Sequence, residues 1–236
     1  MLFDRVSRFI KSRALPRIIR HKRKREISAI AAAFMYTILF LSALAISCVM
    51  CAQNEILYEK VQIKVGVFGG DDSLSLSEAR VINKSLSDFL SGKTDEICTA
   101  SERAHAHMRD VKDIFAQAGR LSAIGFGAFA AFSFLSRRTP VKRLLAAALF
   151  IPPAFFALLA LFSKADFGLL FYRFHRLLFS NDLWILDPLE DRMIRYLTQD
   201  FFLLMAVEAI KRGGIIYVFL CLIQLAFINT FGRRDN

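Results

Sequence analysis

Several signatures of common protein classes are missing from this sequence. It has only four Cys in 236 residues, which excludes a disulfide-dense scaffold, and it contains no GxSxG elbow, phosphate-binding loop or HExxH motif. Acidic residues are also scarce: 21 Asp and Glu stand against 32 Lys and Arg, for a net charge of +11. Hydrophobic residues make up 55% of the chain, which excludes disorder. A basic, apolar chain either contacts nucleic acid or flanks membrane spans with positive charge, and the charge positions decide which.

Charged side chains are almost absent from four windows, and each window predicts a membrane-spanning helix. The windows are residues 27–52, 118–136, 144–163 and 213–232. Because about 20 apolar residues cross the hydrocarbon core, three windows qualify outright and the second qualifies with a flanking turn. Pro152 and Pro153 lie in the third window, where they would kink a helix without excluding it.

The segments between these windows differ in charge. Residues 1–26, 137–143 and 233–236 together hold 16 basic and three acidic side chains, whereas residues 53–120 and 164–212 hold 16 basic and 18 acidic ones. Since positive loops mark the cytoplasm, both termini are expected there and both long segments on the extracellular face of the cell membrane. Membrane topology thus explains the positive charge, and no nucleic-acid partner is expected.

The first window also permits a second interpretation, a cleaved signal peptide. Its basic leader and its apolar run are each 26 residues long, longer than a cleaved signal usually has, so a retained anchor is expected. The leader, residues 1–26, is amphipathic as well as basic, which suits contact with anionic lipid headgroups. A topology signal alone explains its charge equally well.

The first outer segment, residues 53–117, is expected to be helical. Ser75 and Thr99 are each followed three residues later by Glu, the spacing of a helix-capping box. The helix after Thr99 is expected to continue unbroken into the second span. Residues 56–72 leave open a short strand pair or an extended linker.

The second outer segment, residues 164–212, is more apolar. Its stretch ADFGLLFYRFHRLLF contains two Arg and a His and suits a helix lying in the membrane interface. Asp187 followed by Pro188 is typical of a helix start, and a last helix is expected from about Thr198 into the fourth span. The predicted fold class is therefore all-α: a polytopic membrane protein with four transmembrane helices and two helical outer-face segments.

Three of the four histidines, His105, His107 and His175, fall in the outer segments, and His21 falls in the basic leader. His105 and His107 lie about 200° apart on a helix and cannot share a metal ion, so neither a metal nor a cofactor is expected. Of the four thiols, Cys48, Cys51 and Cys98 lie on the outer side, where one disulfide and free thiols both remain open, and Cys221 is expected to pack inside the fourth span.

Two of these histidines have surroundings suited to proton transfer. His107 has Arg103 one turn before it and Asp110 one turn after it, and a carboxylate there can orient the imidazole and raise its basicity. His175 lies among aromatic residues near two arginines, Arg173 and Arg176. An interfacial histidine without function is the alternative for His175. Two imidazoles near the bilayer surface would nonetheless suit proton transfer at a lipid headgroup, because imidazole titrates near neutral pH.

Two stretches of the chain resemble a family of small bacterial four-span membrane proteins, some of which are lipoprotein intramolecular transacylases. The stretches are HMRDVKDIF at 107–115 and FHRLLFSNDLWILDPLEDRMIRYLTQDFF at 174–202, and the span order extends the resemblance over roughly 29–232. The positions that match the second family motif are Phe174-His175, Asn181, Trp184, Leu186-Asp187-Pro188, Asp191 and Phe201-Phe202. Thr198 stands where the family pattern has Pro, which concerns a turn rather than a reactive group.

The resemblance implies an acyltransferase that acts on diacylglyceryl-modified lipoproteins within membrane lipid. The sn-2 acyl chain would move from the glyceryl ester to the α-amine of the N-terminal cysteine, with His107 and His175 as the functional histidines. An α-amine has a pKa of about 7.7–8.0, so an imidazole can take its proton and another can protonate the leaving alkoxide. Arg173 or Arg176 would stabilise the oxyanion. Four more residues would shape the pocket wall: Asn181, Trp184, Asp187 and Asp191. A lipid acyl hydrolase and a non-enzymatic envelope scaffold are the alternatives.

Overall fold

The computed structural model describes residues 30–68, 75–98, 100–136, 149–150, 152–154, 157 and 167–231. The helices with defined bounds are α1 (Ile30–Ala52), α2 (Glu55–Lys64), α3 (Leu76–Leu90), α4 (Glu102–Ser136), α5 (Phe167–Leu178), α6 (Arg192–Tyr196) and α7 (Gln199–Phe231). These described ranges contain no β-strand. The predicted all-α class is confirmed.

Three helices, α1, α4 and α7, are long and apolar enough to cross a membrane. The predicted leader 1–26, loop 137–143 and tail 233–236 lie outside the described residues. Of the predicted third span, 144–163, only six residues are described, and these are helical. A helical membrane protein is thus confirmed, while the count of four spans stays a prediction.

The spanning helices pack through small residues and side-chain hydrogen bonds. A Cβ atom on Gly213 of α7 would lie 3.0 Å from Cα of Leu44 on α1, so the two backbones approach closely there. Ser47 Oγ donates to the Ala209 carbonyl at 2.8 Å, which joins the same two helices. On α4, Gly125 lies directly against Ser42. These contacts fix the three spanning helices against one another.

The polar helices α2 and α3 pack against each other, in a core that also includes residues of α1, α4, α6 and α7. The sequence left residues 56–72 undecided, and the structure shows that α2 occupies Glu55–Lys64, because the Asn54 side chain caps it by accepting from Leu57 N at 2.9 Å. Ser75 caps α3 as predicted, through Glu78 N at 3.1 Å. Helices α2 and α3 are joined by a fully buried amide pair, Gln62 and Asn83, with two hydrogen bonds of 2.9 and 2.7 Å.

Helix α4 runs unbroken from its charged first turns into its apolar stretch, as predicted. Ser101 caps its first turn, because Ser101 Oγ accepts from Ala104 N at 3.1 Å, and the predicted cap residue Thr99 lies outside the described residues. The charged residues of α4 end at Arg120, so the apolar part of the helix coincides with the predicted span 118–136, whose bounds stay a prediction.

The chain between α5 and α7 differs from the sequence prediction at one point. Asp187 does not start a helix: it closes a turn, in which its Oδ1 accepts from Leu189 N at 2.8 Å and its carbonyl accepts from Asp191 N at 2.8 Å. Because this turn occupies residues 187–191, α6 begins only at Arg192. Helix α7 begins where predicted, and Thr198 caps it by accepting from Phe201 N at 3.3 Å.

Helix α5 is confirmed where the sequence predicted an interfacial helix, and none of its residues is fully buried. Its apolar side chains are open on one side, with Leu177 83% and Phe174 53% exposed. The sequence left open whether the cysteines on the outer side form a disulfide. In the structure, all four cysteines are free: Cys48, Cys51, Cys98 and Cys221. Cys48 and Cys51 share α1 at the spacing CxxC without forming a bond.

Candidate active site

His107 and His175 come together although they lie on different helices. His107 is on the charged part of α4 and His175 is near the end of α5, and their ring centroids are 6.1 Å apart. Phe179 contacts both rings, with centroid distances of 4.9 Å to His107 and 5.7 Å to His175. The structure thus forms the histidine pair that the sequence analysis expected on the outer segments.

The surroundings of His175 determine which of its nitrogens can act as a base. Its Nδ1 lies 2.8 Å from the Phe171 carbonyl oxygen one turn earlier. Since a carbonyl only accepts, Nδ1 donates, and Nε2 carries the lone pair of the neutral imidazole. The ring is enclosed by Phe171 at 4.1 Å and Trp184 at 4.9 Å.

His107 is buried more deeply, with 7% of its surface exposed. Its Nδ1 is buried and has no hydrogen-bond partner among the residues that the structure describes. Asp110 was expected to orient this ring, but its Oδ2 instead accepts from Asn181 Nδ2 at 3.0 Å. Asp110 therefore holds the chain that follows α5 and acts on His107 only through its charge.

Both histidines have lowered pKa values, and both lie outside the predicted membrane span 118–136. The pKa of His107 is lowered to about 4, mainly by burial and also by the nearby His175, whereas the Asp110 carboxylate opposes the shift. Burial also lowers the pKa of His175, against the opposing hydrogen bond to the Phe171 carbonyl. Both imidazoles are therefore neutral at pH 7 and able to accept a proton.

Two of the three predicted arginines contact the chain after α5. Arg103 Nε donates to the Ile185 carbonyl at 3.1 Å, and its Nη2 donates to the Asp182 carbonyl. Arg176 lies 3.6 Å from the Asp182 carboxylate in an exposed ion pair. Arg173 is exposed on α5, and the described residues include no hydrogen-bond partner for it. Arg103 and Arg176 thus both contact residues 179–191, which we call the 179–191 loop.

The two predicted aspartates of the loop also have structural contacts. Asp191 is 1% exposed and accepts from the Ser101 backbone N–H at 3.0 Å, which joins the start of α6 to the start of α4. Asp187 is exposed and closes the turn described above. Neither contact involves a histidine ring, so the structure gives these two residues a place in the scaffold of the loop.

The aromatic surroundings of His175 and the place of Trp184 were expected from the sequence, but Phe171 and Phe179 were not named. These two residues lie four positions before and after His175, and this helical spacing was the signal that could have identified them. Phe202 of α7 packs on Phe171 at 5.4 Å and extends this aromatic wall. The site is therefore an apolar cluster of aromatic rings around two neutral imidazoles and the partly buried indole of Trp184.

The fold and the site define a class: a polytopic helical membrane protein whose polar helices hold a histidine pair among aromatic rings. A model of the family described as lipoprotein intramolecular transacylase Lit matches residues 30–202. The chain belongs to this family of membrane acyltransferases. The family match thus spans both histidines and the 179–191 loop.

Solved structures support the same fold. The chain is similar to the in meso structure of the membrane-integral lipoprotein intramolecular transacylase Lit from Bacillus cereus, with 20% identity, a TM-score of 0.72, and 89% of this chain and 99% of that one covered. Two further structures of that protein each carry a histidine substitution. The form with arginine has 20% identity, a TM-score of 0.70 and coverage of 93% and 98%. The form with alanine has 17% identity, a TM-score of 0.67 and coverage of 92% and 98%. Among curated proteins, the comparison found no match.

The Asp191 contact predicts a difference between the two aspartates of the loop. Asp191→Ala leaves the Ser101 N–H without its acceptor and should lower the free energy of unfolding by about 1–3 kcal/mol. Asp187→Ala, at the exposed turn, is the matched control and should cost about 0.5 kcal/mol or less. Denaturant unfolding of the detergent-solubilised protein measures both. Equal losses in the two variants would contradict the structural role of Asp191.

The low pKa of His107 predicts a specific dependence of stability on pH. Between pH 6.5 and about 4 the unfolded chain binds a proton at this position and the folded protein does not, so stability falls as the pH falls. The loss from pH 7 to pH 5 should be at most about 2 kcal/mol. Unfolding of wild type and His107→Gln at both pH values measures it, and His105→Gln controls for removing a histidine. An unchanged pH dependence in His107→Gln would refute the assignment.

Proposed function

We propose that this protein moves the sn-2 acyl chain of a diacylglyceryl-cysteine lipoprotein to the α-amine of the same cysteine, leaving a lyso-form lipoprotein. The observation that carries the proposal is the pairing of His107 and His175 at 6.1 Å inside an aromatic wall. Membership of the transacylase family supplies the reaction class. The two imidazoles supply the proton transfers that this reaction requires.

The chemistry consists of two proton transfers around one carbonyl carbon. The α-amine attacks the sn-2 ester carbonyl, and a neutral imidazole removes the proton that the amine loses as the C–N bond forms. When the C–O bond to glycerol breaks, an imidazolium returns a proton to the leaving oxygen. The substrate brings its own nucleophile, so no serine or cysteine of the protein takes part.

The lowered pKa values suit this sequence of steps. A neutral imidazole is ready to accept a proton at pH 7, whereas an imidazolium would first have to lose one. Each imidazole, once protonated, is a strong acid in this apolar pocket and therefore gives its proton readily to the glyceryl oxygen. Because the rings lie close together, protonation of one discourages protonation of the other.

The aromatic wall favours the amine over water as the attacking group. Phe171, Phe179 and Trp184 surround His175, so little space beside its ring is open to solvent. Helix α5 also carries exposed apolar side chains, with Leu177 83% exposed, and these suit contact with membrane lipid. The acyl chains of the substrate can thus stay in lipid while the ester reaches the histidines.

The proposal also includes the orientation of the chain. Both termini and the loop 137–143 are cytoplasmic, and the segments 53–117 and 164–212, with the histidine pair, lie on the extracellular face. The charge asymmetry between the two sets of segments supports this arrangement. Diacylglyceryl lipoproteins displayed on the outer face of the cell membrane would then meet the site directly.

Substitution of either histidine tests the proposed function. In a host that makes diacylglyceryl lipoproteins, the wild-type protein should convert their N-termini to an N-acyl form with a lyso-glyceryl group. His107→Gln and His175→Gln should each reduce this conversion by on the order of 10²-fold or more, because each removes a proton-transfer group. Mass spectrometry of the N-terminal lipopeptides measures the conversion, and His105→Gln is the matched control.

The possible products separate the competing functions. A lyso-lipopeptide with a free amine would identify the protein as an acyl hydrolase. Unchanged lipopeptides would refute the transacylase and favour a non-enzymatic envelope scaffold. Full conversion by both histidine variants would refute the site while leaving the activity intact.

Thiol labelling tests the orientation. Lys93 lies on the exposed turn after α3, and Arg137 lies in the predicted cytoplasmic loop. On intact spheroplasts, a membrane-impermeant maleimide should label Lys93→Cys, in a chain that also carries Cys98→Ser, and should label Arg137→Cys only after lysis. Labelling is measured against the parent chain with its remaining thiols. The reverse pattern would overturn the proposed topology.

A further inference from the structure

Trp184 is the single tryptophan of the chain and lies in the 179–191 loop beside the histidine pair. Its ring lies 4.9 Å from that of His175 at an interplanar angle of 35°, and Tyr172 contacts its other edge at 5.6 Å. Its Nε1 is buried and has no hydrogen-bond partner among the residues described by the structure. An indole N–H can only donate, so this atom is a buried donor without an acceptor.

A buried donor without an acceptor destabilises a folded protein, and tryptophans that are buried normally find a partner. Here the unpaired donor is accompanied by a second unpaired polar atom, Nδ1 of His107. His175 contacts both rings, at 6.1 Å and 4.9 Å. Two unpaired polar atoms flanking the same imidazole indicate that this pocket receives a polar ligand group.

Two of the charged donors near the histidines are already engaged. Arg103 donates to the carbonyls of Ile185 and Asp182, and Arg176 pairs with the Asp182 carboxylate. Trp184 Nε1–H, by contrast, is a buried donor in direct ring contact with His175, and it remains available for a carbonyl oxygen. Because the indole is neutral, it adds no positive charge that would oppose protonation of an imidazole during the reaction.

We propose that Trp184 Nε1–H donates a hydrogen bond to the carbonyl oxygen of the acyl ester that is transferred. This inference rests on the proposed function. As the amine nitrogen bonds to the carbonyl carbon, the carbonyl π pair moves onto that oxygen, and the indole N–H stabilises the negative charge. The amine proton goes to an imidazole. The C–O bond to glycerol then breaks, its electron pair leaves with the glyceryl oxygen, and an imidazolium protonates it.

The loop holds this donor in a fixed position. Arg103 donates to the carbonyl of Ile185, the residue directly after Trp184. Asn181, which lies three residues before Trp184, is hydrogen-bonded to Asp110. Both anchors are on α4, the helix that carries His107. A donor that is held in place before the reaction stabilises an oxyanion without the cost of reorganising the site.

Trp184→Phe tests the proposal, because phenylalanine keeps an aromatic ring beside His175 and removes the N–H. With a synthetic diacylglyceryl-cysteine peptide in mixed micelles, the variant should show a kcat lowered by on the order of 10²-fold and a KM within about threefold of wild type. Tyr172→Phe is the matched control, because it alters a ring in contact with Trp184 and leaves the indole N–H in place. This variant should keep wild-type rates. A wild-type kcat in Trp184→Phe would overturn the proposal.

A second measurement uses the wild-type protein and does not depend on turnover. Labelled with ¹⁵N-tryptophan, the chain gives one indole N–H resonance, that of Trp184. The N-acetylated diacylglyceryl peptide, whose amine is blocked, should move the indole proton downfield, and the dialkyl ether analogue should not. Equal shifts with the two probes, or no shift with the bound ester, would overturn the proposal.

The two hypotheses fail separately. If wild-type protein makes no N-acyl product, the proposed function is refuted, and the resonance experiment still shows whether the indole donates to an ester. If wild type is active, Trp184→Phe is equally active and the ester leaves the indole resonance unshifted, only the assignment of Trp184 is refuted.

Discussion

The contact between the 179–191 loop and the first turns of α4 is the constraint on which the site depends. Three sets of hydrogen bonds make it: Asp191 with Ser101, Arg103 with two loop carbonyls, and Asn181 with Asp110. Each joins α4, which carries His107, to the chain that directly follows α5, which carries His175. The charged and amide groups of the motif thus set the distance between the rings, and among the described residues neither imidazole is hydrogen-bonded to a charged side chain.

This division of roles follows from electrostatics. A carboxylate hydrogen-bonded to either imidazole would raise the pKa of that imidazole and hold a proton there. Instead, Asp110 is bonded to Asn181 and the rings of Phe171 and Phe179 enclose the histidines, so burial dominates and both pKa values fall. An attacking amine that must lose a proton is best served by a base that is neutral beforehand.

The sequence predicted those parts of the fold that local rules determine. Apolar windows indicated the spanning helices, the cap at Ser75 was correct, and the resemblance to the family brought His107 and His175 to attention. The errors and gaps depend on contacts between distant segments. Asp191 accepts a hydrogen bond from a backbone N–H that lies 90 residues away in sequence, and Asp110 accepts one from Asn181, which lies 71 residues away. No pattern of spacing within the sequence indicates such partners.

The position of α5 links the site to the membrane in the proposed reaction. This short helix carries His175 in contact with Trp184 and Phe179, and it also carries the exposed side chains of Leu177 and Phe174. The imidazole and the apolar surface that lipid would cover thus belong to one short helix. A diacylglyceryl substrate has its ester at the boundary between acyl chains and headgroup, so it needs to move only a short way to reach the pair. Moving the ester into water would expose its acyl chains at a cost of about 0.8 kcal/mol for every CH₂ group. An active site built on an interfacial helix avoids that cost, which explains why its wall is aromatic and why its polar scaffold lies on the side of α4.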